Sequence, residues 1–254
     1  DCNIYATRRA LTTYFITKSK YFNNNLFVVQ PRLTQTFYTG IYLTGLGTND
    51  TVDVYNNRIT KINVNHATAG IAAGVLVYGN TGVLNIYNNF IAPNTENVLT
   101  GTAFKVYGVG FNSGTWNGIA NIYHNTINLE NTTSASTVAG IGTNTNSSAI
   151  FNLHNNIIVN NNNTATSYGI FWTNTPSATN KLISNHNDIY LSGANAKFGK
   201  YTATNYTTLA DWIAGTALDS NSVSKAVTLV STTDLHLTGT SVGDIDLAAP
   251  KVDW

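Results

Sequence analysis

The chain has 254 residues, of which 43% are hydrophobic and 10% are charged, and its formal net charge is +1. This apolar content excludes a disordered tail, and the low charge excludes the clustered Lys and Arg that nucleic acid or an anionic membrane requires. An apolar run of about eighteen residues is absent, so no membrane insertion is predicted. Asn and Thr make up about 30% of the chain, which predicts a polar, nearly uncharged surface.

The start of the chain has no charged segment followed by an apolar one, and Met is absent from the whole sequence. We therefore expect the chain to be a processed or excised piece of a longer protein. Its one cysteine, Cys2, cannot form an internal disulfide.

One eight-residue pattern returns along most of the chain: apolar, any, apolar, any, Asn or His, Asn, any, Ile. Its first half alternates with period two, which is typical of a strand with one face turned inward. Helical periodicity is absent from these segments. The copies lie at 52–59, 84–91, 120–127, 151–158 and 182–189, with a weaker first copy that ends at 24–27.

The second Asn of the pattern recurs in steps of 32, 32, 36, 31 and 31 residues, a period in the range of solenoid repeats. A Gly followed by apolar residues lies about 15 to 19 residues upstream of each such Asn. Each repeat therefore holds two or three short strands that pair in parallel with the neighbouring coils. The sequence predicts an all-β fold, a right-handed parallel β-helix of about six coils. The Gly landmarks are Gly40, Gly74, Gly108, Gly140 and Gly169.

We assign the second Asn of each copy a structural role. Asn tolerates the left-handed conformation of a sharp corner, and its amide can donate to one coil and accept from the next, which makes a ladder up the stack. The recurring Ile is expected to fill the interior just after the corner. The predicted ladder residues are Asn25, Asn57, Asn89, Asn125, Asn156 and Asn187.

After the last copy the pattern breaks, and a short helix is predicted over 205–215. Thr208 and Asp211 have the spacing of a capping box, Trp212 lies on the apolar face, and Gly215 marks the stop. Two strand-like segments, 226–231 and 234–237, are expected to complete the last coil. We treat residues 1–254 as a single domain, with repeat coils over about 10–200 and a C-terminal coil with the helix over about 201–254.

Three segments after the repeats carry a resemblance to a known family: Tyr206 to Trp212, Asp219 to Val223 and Thr233 to Leu237. They resemble the module that closes a block of right-handed β-helix repeats in large secreted surface proteins of some Gram-negative bacteria, within the pectate-lyase-like superfamily. The resemblance covers most of residues 50–240. The usual Pro-Phe pair before the Asp-Leu pair is replaced here by Lys-Ala-Val-Thr-Leu at 225–229.

The resemblance implies a protein that is secreted or displayed at the outer cell surface, with a role in adhesion, surface coating or polysaccharide handling. It carries no catalytic residue with it. The wider group of right-handed β-helices includes pectate lyases and polygalacturonases, so a polysaccharide lyase or glycoside hydrolase is the alternative function.

Enzymes of that kind need paired carboxylates or a carboxylate cluster that holds calcium. Within residues 54–187 the acids are Glu96 and Glu130, each alone in its repeat. His124 and His154 are expected at equivalent positions on adjacent coils. They have two interpretations, a metal site or a replacement for the first Asn of the pair, and we favour the second.

The C-terminal acids Asp234, Asp244 and Asp246 also have two interpretations. Their oxygens suit calcium, and acids are equally typical of surface turns. A nucleophile motif, a phosphate loop and a dinucleotide fingerprint are all absent. The sequence therefore assigns no catalytic residue, no metal ligand and no cofactor.

The longest repeat step has its extra residues in a loop at 111–117, and a second loop follows Trp172. Aromatic faces beside Asn and Thr suit a neutral sugar, because stacking covers the apolar sugar face while amides meet the hydroxyls. The other interpretation of each Trp is a lid over the coil edge. The predicted glycan-binding residues are Phe111, Asn112, Trp116, Asn117, Trp172 and Asn174.

Solenoid ends present unpaired strand edges that can stack on a neighbour. The sequence thus predicts an extracellular structural or adhesive β-helix module, non-catalytic, that binds a neutral polysaccharide or associates with itself end to end into filaments.

Overall fold

A computed structural model describes residues 2–14, 18–29, 36–64, 69–79, 82–93, 103–112, 116–130, 137–143, 148–162 and 166–248. The strands are, in chain order, β1 (Cys2–Ala6), β2 (Arg9–Tyr14), β3 (Lys18–Phe22), β4 (Asn24–Val28), β5 (Phe37–Thr44), β6 (Thr51–Tyr55), β7 (Arg58–Ile62), β8 (Ala69–Tyr78), β9 (Val83–Tyr87), β10 (Phe90–Ala92), β11 (Ala103–Phe111), β12 (Ile119–Tyr123), β13 (Thr126–Leu129), β14 (Thr137–Thr143), β15 (Ile150–His154), β16 (Ile157–Asn160), β17 (Ser167–Trp172), β18 (Lys181–Asn185), β19 (Asp188–Leu191), β20 (Ala196–Tyr201) and β21 (Thr204–Tyr206). One α-helix, α1 (Leu209–Thr216), and two 3₁₀ turns, Gly239–Ser241 and Ile245–Leu247, follow the strands.

Three sheets run along the axis of the chain, and each coil adds one strand to each sheet. Sheet 1 has the order β1-β4-β7-β10-β13-β16-β19, sheet 2 the order β2-β5-β8-β11-β14-β17-β20-β21, and sheet 3 the order β3-β6-β9-β12-β15-β18. All neighbours pair in parallel except β20 and β21. The predicted parallel β-helix of about six coils with one short helix is confirmed.

The recurring Ile and the Gly landmarks pack against each other inside the solenoid. The Ile side chains point into the core and are at most 1% exposed. A Cβ added at Gly40 would approach Ile59 Cγ2 to 2.2 Å, and one at Gly74 would approach Ile91 Cγ2 to 2.3 Å. The same contact recurs in the three following coils, so Gly is required where sheet 2 passes the Ile of the next coil. The remaining pairs are Gly108 with Ile127, Gly140 with Ile158 and Gly169 with Ile189.

The sharp corner between sheet 3 and sheet 1 is made by the first residue of each Asn pair, not the second as predicted. These residues have left-handed backbone angles, whereas the second residue starts the next strand or directly precedes it. Asn and His have short polar side chains that tolerate this conformation. The corner residues are Asn23, Asn56, Asn88, His124, Asn155 and His186, with φ between 54° and 57°.

His124 and His154 are not equivalent, which corrects the prediction. His124 is a corner residue with φ of 55°. His154 lies at the end of β15, one position earlier in the repeat, where it pairs in register with Tyr123. The two imidazoles therefore belong to different columns of the solenoid.

The second Asn of each copy forms a continuous amide ladder inside the corner, which we call the inner ladder. Each Nδ2 donates to the Oδ1 of the next coil at 2.9–3.1 Å. Nearly every member also donates to carbonyls, as Asn125 does to Ile86 O (2.9 Å) and Tyr123 O (3.1 Å). The members are Asn24, Asn57, Asn89, Asn125, Asn156 and Asn187, followed by Asp219 as the final acceptor.

Asn25 is a wrong assignment, because Asn24 occupies the first rung of the inner ladder. The register pairs Asn25 with Arg58, one position beyond the ladder. The amide of Asn25 instead donates to Asn3 Oδ1 at 2.8 Å. The other five predicted ladder residues form the ladder in the structure.

The C-terminal part of the chain covers the last coil. The predicted capping box is present, since Thr208 accepts from Asp211 N (3.1 Å) and the Asp211 carboxylate accepts from Thr208 N (3.2 Å). Helix α1 continues past Gly215 to Thr216, and Ala217 closes it with a left-handed φ of 57°. The helix packs Trp212 against Phe198 at the end of the core.

Residues 223–248, which we call the C-terminal strap, do not complete another coil. The predicted strands at 226–231 and 234–237 are reduced to one antiparallel bridge between Leu229 and Leu237. The strap instead folds back along the outer side of sheet 1. It contacts Asp188 on β19 through Lys225 N (2.8 Å) and Arg58 on β7 through Thr233 O (2.9 Å).

Candidate functional site: the outer face of sheet 3

The aromatic residues predicted to bind glycan are buried in the core. Phe111 is 0% exposed, and Trp116 and Trp172 are each 1% exposed. Trp116 packs on Phe111 with ring centroids 5.8 Å apart, and Phe111 contacts Phe151 across the interior. A sugar cannot stack on a ring that other side chains cover, so the predicted stacking site is wrong for these three rings.

The three Asn residues predicted to bind glycan differ in their exposure to solvent. Asn174 is 0% exposed, so it cannot meet a ligand either. Asn112 is half-buried just after β11, and Asn117 is exposed. Of the six predicted glycan-binding residues, Asn117 is the one that reaches an open surface feature.

The outer positions of sheet 3 form three columns parallel to the solenoid axis, which we call the sheet-3 face. They arise because the period-two strands turn the apolar positions of the repeat inward and the intervening positions outward. Strand β12 shows all three columns, with apolar Ile119, amide Asn121 and aromatic Tyr123 side by side. Strands β9 and β15 on either side repeat this order in register, with His154 in the aromatic position of β15. The strands farther out depart from it, since β6 has Thr51 and Asp53 in the first two columns.

The middle column is a second ladder of hydrogen-bonded side chains, which we call the outer ladder. Asn85 donates to Asp53 at 2.8 Å, Asn121 to Asn85 at 2.8 Å, and Asn152 to Asn121 at 2.7 Å. Each donor points to the preceding coil, opposite to the inner ladder. The row ends at the carboxylate of Asp53, where Lys20 lies 3.8 Å away.

The aromatic column is a stack of rings at the ends of the strands. Phe22, Tyr55, Tyr87 and Tyr123 follow one another with centroids 4.9–5.0 Å apart and planes within 4°. Ring faces cover one another, so the column turns its edges and phenol groups outward. Burial, with a smaller contribution from Asp53, raises the pKa of Tyr87 to about 12. This phenol therefore remains a neutral hydrogen-bond donor and acceptor at any physiological pH.

A shallow groove of about 380 Å³ runs beside the apolar column and crosses several coils. Its floor includes Val83, Ile119 and Ile150, and its rim includes Asn117 and Thr179. Each of its described lining residues is uncharged. The volume lies in the range of small-molecule and sugar sites, about 300–1,000 Å³. The groove therefore joins an apolar floor to amide and hydroxyl groups.

Carboxylates are scarce on this face. Among its described positions Asp53 is the single acid, and its carboxylate already accepts from Asn85. A hydrolase of the glycosidase type needs two carboxyl groups about 5–10 Å apart. The described part of the sheet-3 face offers no such pair.

The acids that do cluster lie in the C-terminal strap, on the other side of the corner. Asp244 and Asp246 both bind the ammonium group of Lys225, at 2.7 and 2.8 Å, while Asp234 pairs with His236 at 2.6 Å. The cavity beside Asp246 has a volume of about 50 Å³, far below the volume of a sugar site. Within the described ranges no group of three His, Cys, Asp or Glu is arranged to hold a metal ion.

The chain is a parallel β-solenoid with a groove on the outer side of sheet 3 whose described lining residues are uncharged. The chain matches no protein-family model, and comparison with curated proteins and with solved structures found no match. Of the helices described, none is long and apolar enough to cross a membrane.

The sheet-3 face was missed at the sequence level, although a signal for it exists. The positions between the apolar residues of the repeat are themselves repeated, as Asn85 with Asn121 and Tyr87 with Tyr123 show. Such repetition at outward positions indicates a surface property, because the core does not constrain those residues.

Proposed function

We propose that this chain is a non-catalytic binding module that holds a neutral polysaccharide along the sheet-3 face, as part of a secreted or cell-surface protein. The observation that carries the proposal is the groove beside the apolar column, which is uncharged and continuous over several coils. Secretion is supported by the resemblance of the segments at 206–212, 219–223 and 233–237 to the closing module of large secreted bacterial surface proteins.

The chemistry of the face suits an extended neutral chain. Apolar side chains such as Ile119 can pack on the apolar C–H faces of sugar rings, while amides such as Asn121 and Asn117 can form hydrogen bonds with sugar hydroxyl groups. Because β9, β12 and β15 repeat the columns, these three coils offer similar apolar and amide groups to successive segments of the ligand. Many weak contacts repeated along one chain add up to useful affinity.

End-to-end self-association has less support from the geometry. At the C-terminal end of the solenoid, β21 pairs antiparallel with β20, and α1 packs Trp212 over the core. An incoming coil would have to displace both elements before it could pair with sheet 2.

Binding is tested by isothermal calorimetry with soluble, linear, neutral glucans, mannans and chitin oligosaccharides. The variant Ile119→Asp places a charge in the groove floor, where the side chain is 37% exposed, and we expect at least about a tenfold loss of affinity. The matched control is Val242→Asp, because Val242 is 64% exposed and lies on the strap.

The proposal predicts that the control binds like the parent and that the sugar is recovered uncut after incubation. Equal loss of affinity in both variants, or no binding to any neutral glycan, would contradict it. Release of new reducing ends by the parent chain would contradict the non-catalytic part.

A further inference from the structure

The cavity under the C-terminal strap is small and lined mainly by polar groups. It has a volume of about 50 Å³ and lies between the corner residues Asn155 and His186, the β19 residue Asp188, and Asp246 of the strap. A cavity of this size holds one or two waters and no larger ligand. The chemistry available in the cavity is therefore the gain or loss of protons by the side chains that line it.

Asp188 is the buried acid of this cavity. The residue is 4% exposed, and its Oδ1 accepts from Lys225 N at 2.8 Å. Its Oδ2 is buried and has no hydrogen-bond partner. Burial of an unpaired carboxylate oxygen raises the free energy of the ionised form, whereas a protonated carboxyl group carries no charge to desolvate.

The strap is attached to sheet 1 at two places, and Asp188 lies at the first of them. At its root, Val223 N donates to Asn187 O (2.8 Å) and Ile189 N donates to Val223 O (3.0 Å), on either side of Asp188. At its tip, Thr233 O accepts from Arg58 Nε (2.9 Å), and the His236 ring meets Phe90 edge-on with ring centroids 4.6 Å apart. Between the two places the strap crosses the coils of sheet 1 without a continuous ladder of strand hydrogen bonds.

The titratable groups that face Asp188 come from both sides of the cavity. The strap supplies Lys225, whose ammonium binds Asp244 and Asp246, and the corner before β19 supplies His186. Burial is the largest influence and raises the pKa of Asp188 to about 7, helped by the nearby Asp244 and opposed by Lys225.

We propose that Asp188 is a proton-operated latch, whose neutral carboxyl group keeps the strap docked on sheet 1 and whose ionisation releases it. When the strap is docked, Asp188 keeps its proton up to about pH 7; when it is released, the carboxyl group ionises near its ordinary pKa of 3.8. Docking is therefore strongest at low pH. The equilibrium constant for docking falls by up to about tenfold per pH unit between pH 3.8 and about pH 7, and it is constant above about pH 7.

The ion pairs of Lys225 act in the opposite direction and at a different pH. Hydrogen bonding to Lys225 lowers the pKa of Asp244, so that pair stabilises the folded form of the strap at neutral pH and is lost when the pH falls through that lowered value. The window between pH 5 and pH 8 therefore lies above the loss of the Lys225 pairs, and within it a comparison of Asp188→Asn with the parent assigns a pH step to Asp188.

The test uses the full chain and trypsin, because Lys225 is a cleavage site inside the strap. Cleavage after Lys225 requires local opening, and its rate is normalised at each pH to that of an unstructured Lys peptide. We expect the normalised rate to rise by at least about tenfold from pH 5 to pH 8. A rate that is flat or falls over this range would overturn the latch.

Two variants separate the latch from general loosening. Asp188→Asn keeps the shape and the acceptor for Lys225 N but does not ionise, so we expect slow cleavage with no pH step. Asp244→Asn removes an ion pair, so we expect faster cleavage at every pH with the step retained. A pH step that survives in Asp188→Asn would overturn the latch, and so would a carboxyl carbon of Asp188 that titrates near pH 4 by NMR.

Discussion

The inner and outer ladders use the same side chain in the same coils, yet they lie in different surroundings. In β12 and the corner after it, Asn121 belongs to the outer ladder and Asn125 to the inner ladder. Asn125 is 1% exposed and satisfies carbonyl groups that are out of reach of water, whereas Asn121 is half-buried and faces solvent. Amide ladders stabilise the fold where they replace water, and they shape a surface where water competes.

The two ladders run in opposite directions, and each ends in an acid. Inner-ladder donors point toward the C-terminal coils and end at Asp219, while outer-ladder donors point toward the N-terminal coils and end at Asp53. A carboxylate only accepts hydrogen bonds, so it is a suitable final acceptor for a row of amide donors. Because the two rows of amides point in opposite directions, their dipoles are also opposed.

The largest effect is expected at the end of the inner ladder. Asp219 is 1% exposed and accepts from Asn187 Nδ2 (3.1 Å), Trp212 Nε1 (2.9 Å) and Ser222 Oγ. Asp219→Ala should lower the free energy of unfolding by about 4 kcal/mol, because buried donors lose a charged acceptor. Urea unfolding followed by Trp fluorescence measures it; a loss below about 1 kcal/mol would show that the ladder needs no acid at its end.

A smaller but still large effect is expected in the middle of the inner ladder. Asn125→Leu should lower the free energy of unfolding by about 3 kcal/mol, because carbonyl groups and the neighbouring amides lose their partners. The matched control is Asn121→Leu in the outer ladder, for which we expect a change within about 0.5 kcal/mol. Equal losses in thermal and urea unfolding would remove the distinction between the two ladders.

The smallest effect is a gain in stability, outside both ladders. Ala217 has a left-handed φ of 57° at the end of α1, a conformation that costs a residue with a Cβ about 1–2 kcal/mol. Ala217→Gly relieves this cost but makes the unfolded chain more flexible, so we expect a net gain of about 0.5 kcal/mol. A lower melting temperature for the variant would contradict this account of the helix end.

Much of the fold could be predicted because the repeat constrains the core. Each Ile and each upstream Gly occupies one interior contact, so the spacing of these residues along the chain indicates the length of a coil. The first coil was harder, since three consecutive Asn residues at 23–25 allow two registers and local pairing decides between them. The difference between His124 and His154 likewise depends on one position in the register.

The binding site was harder to predict, because burial of a loop side chain depends on how the loop folds over the coil. The sequence near Trp116 allows both an exposed ring and a lid over the coil edge, and it does not specify the inward packing onto Phe111. The strap has the same difficulty, since its contact with Arg58 joins residues 175 positions apart, and no repeat specifies that contact.

The most direct test of the account is to measure both stability and glycan affinity for Asn121→Leu and Asn125→Leu. We predict a crossed result: Asn121→Leu keeps its stability and binds neutral glycan at least about tenfold more weakly, while Asn125→Leu loses stability and keeps its affinity where it is folded. A single variant that loses both properties, or an outer-ladder variant that binds like the parent, would contradict the claim that the sheet-3 face is the binding surface.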